Sequence, residues 1–186
     1  MVPRPSARDR LLTAARELFY AEGFGVSVDA VTARANVAKP TVYAHFESKD
    51  ALIDTVLSTA SEEWFTELDA ELERRDDPLE RVSAPFDLLG TNLPDQAYHG
   101  CILINSAASF LSADHPAHRA LTTHDDRMLE VFEKLAAQAG ATDPLDTGRQ
   151  LLLLYNGVKA RGLVDHTGSA ARDARAAAMI LVTVAR

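Results

Sequence analysis

The stretch that most limits what this chain can become is Ser27 to Lys49, SVDAVTARANVAKPTVYAHFESK. It reads as two short helices joined by a tight turn, with a third helix starting at once. Ser27 is a good N-cap, and Asp29 falls in the first turn, where a negative charge favours the helix dipole. Val28, Val31 and Ala35 recur at the spacing of one helical face. Asn36 breaks that pattern, and Asn tolerates the left-handed conformation such a turn needs. Pro40 suits the first turn of a new helix, where its missing N–H costs nothing. With Val37 and Val42 facing back toward the first helix, Lys39, Thr41, Tyr43 and His45 are left on a short helix with few core duties. This is the layout of a helix-turn-helix, whose second helix enters the DNA major groove.

A net charge of −8 argues against nucleic acid only if the chain is taken whole. Through residue 50 there are 7 Lys+Arg against 6 Asp+Glu, and beyond it 12 against 21, so a head of +1 precedes a body of −9. The asymmetry is the signal, and the acidic bulk is not the part expected to touch phosphate. At 186 residues a compact two-part chain is expected, divided as 1–50 and 51–186. No apolar run is long enough to cross a membrane and no signal-peptide pattern opens the sequence. The single cysteine, Cys101, excludes an intramolecular disulfide framework and fits a reducing cytoplasm.

In chain order, residues 1–6 carry two prolines and read as a mobile arm. Arg4, Arg8 and Arg10 lie in or beside it, either reaching phosphates or simply solvated. Leu11, Ala15, Leu18 and Phe19 form one stripe of a helix from Ala7 to about Glu22, ended by Gly23, with Phe24 and Phe46 closing a small core. Ser48 caps a long helix that continues to about Arg75, a natural lever between head and body. Further helices are expected over Leu79 to about Leu89, Cys101–Leu111, His118 to about Gly140, Pro144–Val164 and Ala170–Ala185. No alternating strand pattern occurs. The expectation is an all-α fold of about nine helices, a three-helix head on a helical body.

The run from Val31 through Leu52, VTARANVAKPTVYAHFESKDAL, and the upstream AARELFYAEGFGVSV closely resemble the signature of the TetR (tetracycline-repressor-like) family of one-component bacterial regulators. The resemblance covers roughly the first fifty-five residues. The family usually has Gly where Asn36 stands and often Ser or Thr where Ala38 stands, and Ala38 cannot cap a helix with a side-chain oxygen. The residues matching the family's DNA-binding motif are Ser27, Lys39, Pro40, Thr41, Tyr43, His45 and Lys49. Lys39 and Thr41, early on the recognition helix, are placed for base edges. Tyr43, His45 and Lys49 are better placed for phosphate oxygens, unless His45 is only a packed surface histidine.

The resemblance also implies a small-molecule effector held in the middle of the chain, about 56–145, by apolar and aromatic groups with a few polar ones. Trp64, Phe86, Tyr98, Cys101, Asn105, Phe110, Phe132 and Tyr155 are the candidates. The last two helices are apolar nearly all round, so each must be covered on two sides, and a partner subunit is expected on one of them. Members of the family pair through these helices, which puts Leu151, Leu154, Val158, Ala174, Ala177, Ala178 and Leu181 at the seam of a homodimer on a palindromic operator.

No cofactor, metal site or catalytic group is expected. His99, Cys101, His115, His118 and His124 lack convergent ligand spacing, and a lone cysteine near an apolar helix is usually packed and inert. The Gly157–Gly162 stretch is expected to allow close helix approach rather than cradle phosphate. The reading is a ligand-released repressor. A constitutive regulator or activator without a ligand is the alternative, and a helical enzyme or scaffold that has lost DNA binding is the alternative from another class.

Overall fold

The computed structural model describes residues 5–92, 99–164 and 166–185. Among them are nine α-helices and no strand: α1 (Ala7–Glu22), α2 (Val28–Ala35), α3 (Lys39–His45), α4 (Lys49–Glu73), α5 (Pro78–Asn92), α6 (Ile102–Ser109), α7 (Pro116–Gln138), α8 (Pro144–Arg161) and α9 (Ser169–Val184). Local chemistry sets most of the boundaries. Ser6 and Asp9 form a reciprocal capping box, so Ser6 begins α1 rather than belonging to an arm. Residues 1–4, and with them Arg4, lie outside the described residues. Ser27 and Ser48 cap α2 and α4, and Asp143 caps α8. Asn36 takes the left-handed conformation, φ 52°, that turns α2 into α3.

Where boundaries depart from expectation, packing is the reason. Helix α5 runs through Gly90, where a Cβ would sit 3.3 Å from Ala171 Cβ and glycine lets α5 close on α9. Helix α6 stops at Ser109, since Phe110 leaves it to stack on His115 at a centroid distance of 3.5 Å. A close helix approach is at Gly148, where a Cβ would lie 3.0 Å from the Glu133 backbone nitrogen. Gly157, expected in that role, is exposed with no atom near its missing Cβ.

Two apolar clusters organise the chain. The first joins Leu11, Ala15 and Phe19 of α1 with Val31, Val42, Phe24 and Phe46, and it also takes in Leu52, Ile53, Val56 and Leu57 of α4, Leu103 of α6 and Ala117 of α7. The second, deeper in the body, packs Phe65 and Leu68 of α4 against Phe86, Phe132, Leu151, Tyr155, Ala178 and Val182. Helix α4 crosses both without a break, so the expected division at residue 50 falls at the start of a 25-residue helix shared by both cores.

Candidate functional site

Helix α3 is held by one side and open on the other. Val42 is fully buried, which fixes the roll of a seven-residue helix and turns Lys39, Pro40, Tyr43 and His45 outward. Ser27 Oγ accepts the Ala30 N–H at 3.2 Å and so anchors the start of α2 behind it. Tyr43 is 52% exposed, Thr41 is half-buried, and the His45 ring lies 6.4 Å from that of Phe46. Lys39 Nζ sits 2.7 Å from Asp29 Oδ1, and that carboxylate raises the ammonium pKa above its ordinary value. Lys49 is different. Its Nζ donates to the Phe24 carbonyl at 2.6 Å and lies over the Phe19 ring, so it ties the start of α4 to the loop after α1. Arg34 is bound to Glu17 at 2.7 Å, bracing α2 on α1.

Beneath this head a cavity of about 550 Å³ opens where α1, α4, α5, α6, α7 and α8 converge. Of the eight residues expected to hold a ligand, Trp64, Cys101 and Tyr155 line it. Phe86 and Phe132 are instead fully buried in the body core, their rings 5.9 Å apart. Asn105 donates to the His99 carbonyl at 2.7 Å, Phe110 packs in the head cluster, and Tyr98 lies outside the described residues. Sequence reasoning did not place α1 in this wall, yet Arg16, Glu17 and Tyr20 contribute to it. A salt bridge joins Arg16 to Glu63 across the α1–α4 contact.

Two further residues of the wall are not among the expected ligand contacts: His124, weighed in the sequence only as a metal ligand, and Lys159, in a helix that reads as apolar nearly all round. His124 lies in the wall, 3% exposed, with Nδ1 2.9 Å from Ser61 Oγ and Nε2 3.2 Å from the Tyr155 hydroxyl, so it connects α4, α7 and α8. Burial, reinforced by the positive charges of Lys159 and Arg127, pushes its pKa down to about 3, and the ring is neutral near pH 7. Lys159 is only 2% exposed, and its Nζ lies 4.8 Å from the Tyr155 ring centroid and 3.7 Å from Asp125 Oδ1. Among the described residues neither Lys159 Nζ nor Trp64 Nε1 has a hydrogen-bond partner.

The residues expected at the seam differ in burial within the single chain. Leu151, Val158, Ala174 and Ala178 are buried inside their own chain, in the body core, because α5 and α7 already cover that side of α8 and α9. Leu154, Ala177 and Leu181 are half-buried at its border. The uncovered apolar side carries Leu153 at 74%, Ile180 at 66% and Val184 at 80% exposure, beside Gly157 and Ala176.

His115 and His118 have structural occupations. His115 Nδ1 accepts the Ala117 N–H and caps α7, and His118 Nε2 lies 2.8 Å from the Phe110 carbonyl. Among the described residues no three His, Cys, Asp or Glu side chains converge on one point, and no helix is long and apolar enough to cross a membrane.

Residues 11–56 match the profile of bacterial regulatory proteins of the tetR family. A segment of 57 residues is 42% identical to the HTH-type transcriptional activator FasR of Mycolicibacterium smegmatis, a match that takes in 30% of this chain and 26% of that activator. Over almost the whole chain, the fold is that of SCO4454, a TetR-family transcriptional regulator from Streptomyces coelicolor, with a TM-score of 0.89, 29% identity, and 96% and 95% of the two chains covered. The regulator sav143 of Streptomyces avermitilis superposes at a TM-score of 0.80 with 29% identity, over 92% of this chain and 99% of that one.

Proposed function

We propose, for a chain that belongs to the tetR family of bacterial transcriptional regulators, a homodimer that holds two α3 helices to a palindromic operator and responds to a small molecule in the body cavity. The observation that carries this is the cavity's position: one 550 Å³ space is bounded both by α1, which braces the DNA-reading helices, and by α4, which runs from head to body. A bound molecule that fits one arrangement of these helices better than another shifts the population of head spacings. Two recognition helices read successive major grooves only when separated by about one helical turn of DNA, roughly 34 Å. A modest change in spacing is therefore enough to release the operator.

On α3, Lys39 and Thr41 are assigned to base edges and Tyr43 and His45 to phosphates. The Lys39–Asp29 pair is solvent-exposed and opens at little cost when a base or phosphate competes for the ammonium. The dimer seam is assigned to Leu153, Gly157, Ile180 and Val184, where an apolar surface is otherwise left in water. The site of action is the cytoplasm.

A mobility-shift assay on the promoter flanking the gene, with sedimentation of the same sample, tests the reading. A retarded complex of two chains per site is expected. A chain that shifts no DNA at low salt would overturn it and leave a helical scaffold or enzyme as the reading. Repression is the expected direction, while the 57-residue similarity to FasR, which is named an activator, supports activation as the second reading. A reporter fused to the promoter separates the two, since deleting the gene raises expression in one case and lowers it in the other.

A further inference from the structure

We infer that the cavity takes an organic carboxylate, its anionic group seated against Lys159 and its apolar body against the Trp64 and Tyr155 rings. The inference deepens the effector reading above and rests on it. It starts from an imbalance of hydrogen-bonding groups. Lys159 is the charged residue of the wall most withdrawn from water, 2% exposed, and an ammonium carries three donors and no acceptor. Asp125 Oδ1 forms a long ion pair with it at 3.7 Å, too far for a hydrogen bond, and among the described residues Lys159 Nζ has no hydrogen-bond partner. Trp64 Nε1–H, in the same wall, is likewise buried without an acceptor. The two flank one ring: Trp64 lies 5.7 Å and Lys159 Nζ 4.8 Å from the centroid of Tyr155. Buried donors left unmet are costly, and a ligand rich in acceptors relieves both.

The other charges of the wall do not compete for this role. Arg16 and Glu63 pair with each other, and Glu17 is taken by Arg34. Glu67 is exposed, so its charge is screened by water. An organic cation would meet glutamates near solvent but would leave Lys159 and Trp64 without acceptors and set a like charge against the buried ammonium. A carboxylate supplies two acceptor oxygens and a charge-assisted bond. Ala60, Leu89, Ile102 and Leu103 give the rest of the molecule an apolar bed, and the cavity's volume falls in the range of small-molecule sites.

Trp64 is the only tryptophan in the chain, so intrinsic fluorescence reports on this cavity directly. The full chain is titrated with phenylacetate and octanoate, with their neutral amides phenylacetamide and octanamide, and with phenyltrimethylammonium. The acids should change Trp64 emission and bind at least about tenfold more tightly than the amides. Lys159→Met should erase that preference, and Lys159→Arg should keep part of it. The comparison of acid with amide needs only the wild-type chain, so a Lys159→Met variant that fails to fold leaves the test intact. Amides or the ammonium compound binding as well as the acids, or an unchanged acid affinity in a folded Lys159→Met, would overturn the inference while leaving a ligand-binding cavity in place. No response to any of the five at millimolar concentration would overturn the inference together with the effector reading, whereas operator binding, measured in the same samples, stands or falls separately.

Discussion

At the scale of single residues, the two lysines that bound the DNA-reading unit have different work. Lys39 is exposed and its partner Asp29 is a solvent-facing carboxylate, so Lys39→Ala should leave stability unchanged and relax preference at one base position by about 1–3 kcal/mol. Lys49 is tied to the Phe24 carbonyl, and Lys49→Ala should destabilise the chain by about 1.5–3 kcal/mol, the worth of a hydrogen bond made by a charged group. Denaturant midpoints beside operator-variant affinities check both. A salt slope reduced by about one in a fully stable Lys49→Ala protein would instead support the phosphate role that the sequence motif suggests. His124 supplies a pH dependence whose sign follows from its burial. The unfolded chain protonates this ring near 6.5 and the folded chain only near 3, so the unfolded state binds more protons between those values. Stability is therefore complete above about 6.5 and falls as pH is lowered toward 3, by on the order of a few kcal/mol. Ser61, Tyr155, Lys159 and Arg127, which surround the ring from α4, α7 and α8, offer it no carboxylate as compensation. His124→Gln should flatten that slope in urea titrations at pH 4 to 7, and an unaltered slope would place the acid sensitivity elsewhere.

At the scale of elements, the question is which helix carries a signal from cavity to head. Helix α4 is unbroken from Lys49 to Glu73 and meets the cavity at Ala60, Glu63, Trp64 and Glu67. Ala60→Pro removes an interior hydrogen bond and kinks the helix between the two cores, at about 3 kcal/mol. The variant should bind operator and still register ligand in Trp64 fluorescence, but the ligand should no longer lower operator affinity, where allosteric coupling is typically about 1–3 kcal/mol. Release that persists in this variant would assign the signal to α1. That helix is a real competitor, since Arg16, Glu17 and Tyr20 reach the same cavity and Glu17 also holds α2 through Arg34. Periodicity gave α1 only a bracing role, because its cavity-facing residues are polar and read as a solvated face.

At the scale of the whole molecule, the two sides of α8 and α9 separate folding from assembly. Ile180 and Leu153 face water in the single chain, and Ile180→Glu should convert a dimer to a folded monomer, losing about 2 kcal/mol or more of association energy. Ala178 is fully buried, and Ala178→Glu should instead unfold the chain, as an unpaired buried charge costs about 3–5 kcal/mol. Sedimentation velocity with circular dichroism distinguishes the outcomes. A wild-type chain that remains monomeric at high concentration would remove the interface, and with it the two-headed reading of the operator.

The sequence by itself determined the elements and the head. Caps at Ser27 and Ser48, the left-handed Asn36 and the stripes of α1 and α2 are local chemistry, settled within a few residues of chain, and so is the outward set on α3 once Val42 is turned in. Tertiary structure decided the rest. An all-round apolar helix does not say which side its own chain will cover, so Leu151 and Ala178 went inward and Leu153 and Ile180 stayed out only when α5 and α7 had packed. The close packing of α5 on α9 at Gly90 involves Ala171, about eighty residues away. The cavity depended on six helices meeting, which brought Arg16, Trp64, His124 and Lys159 into one wall. Such a wall has no sequence period, because burial of a charge such as Lys159 is fixed by what packs around it and not by its neighbours in the chain.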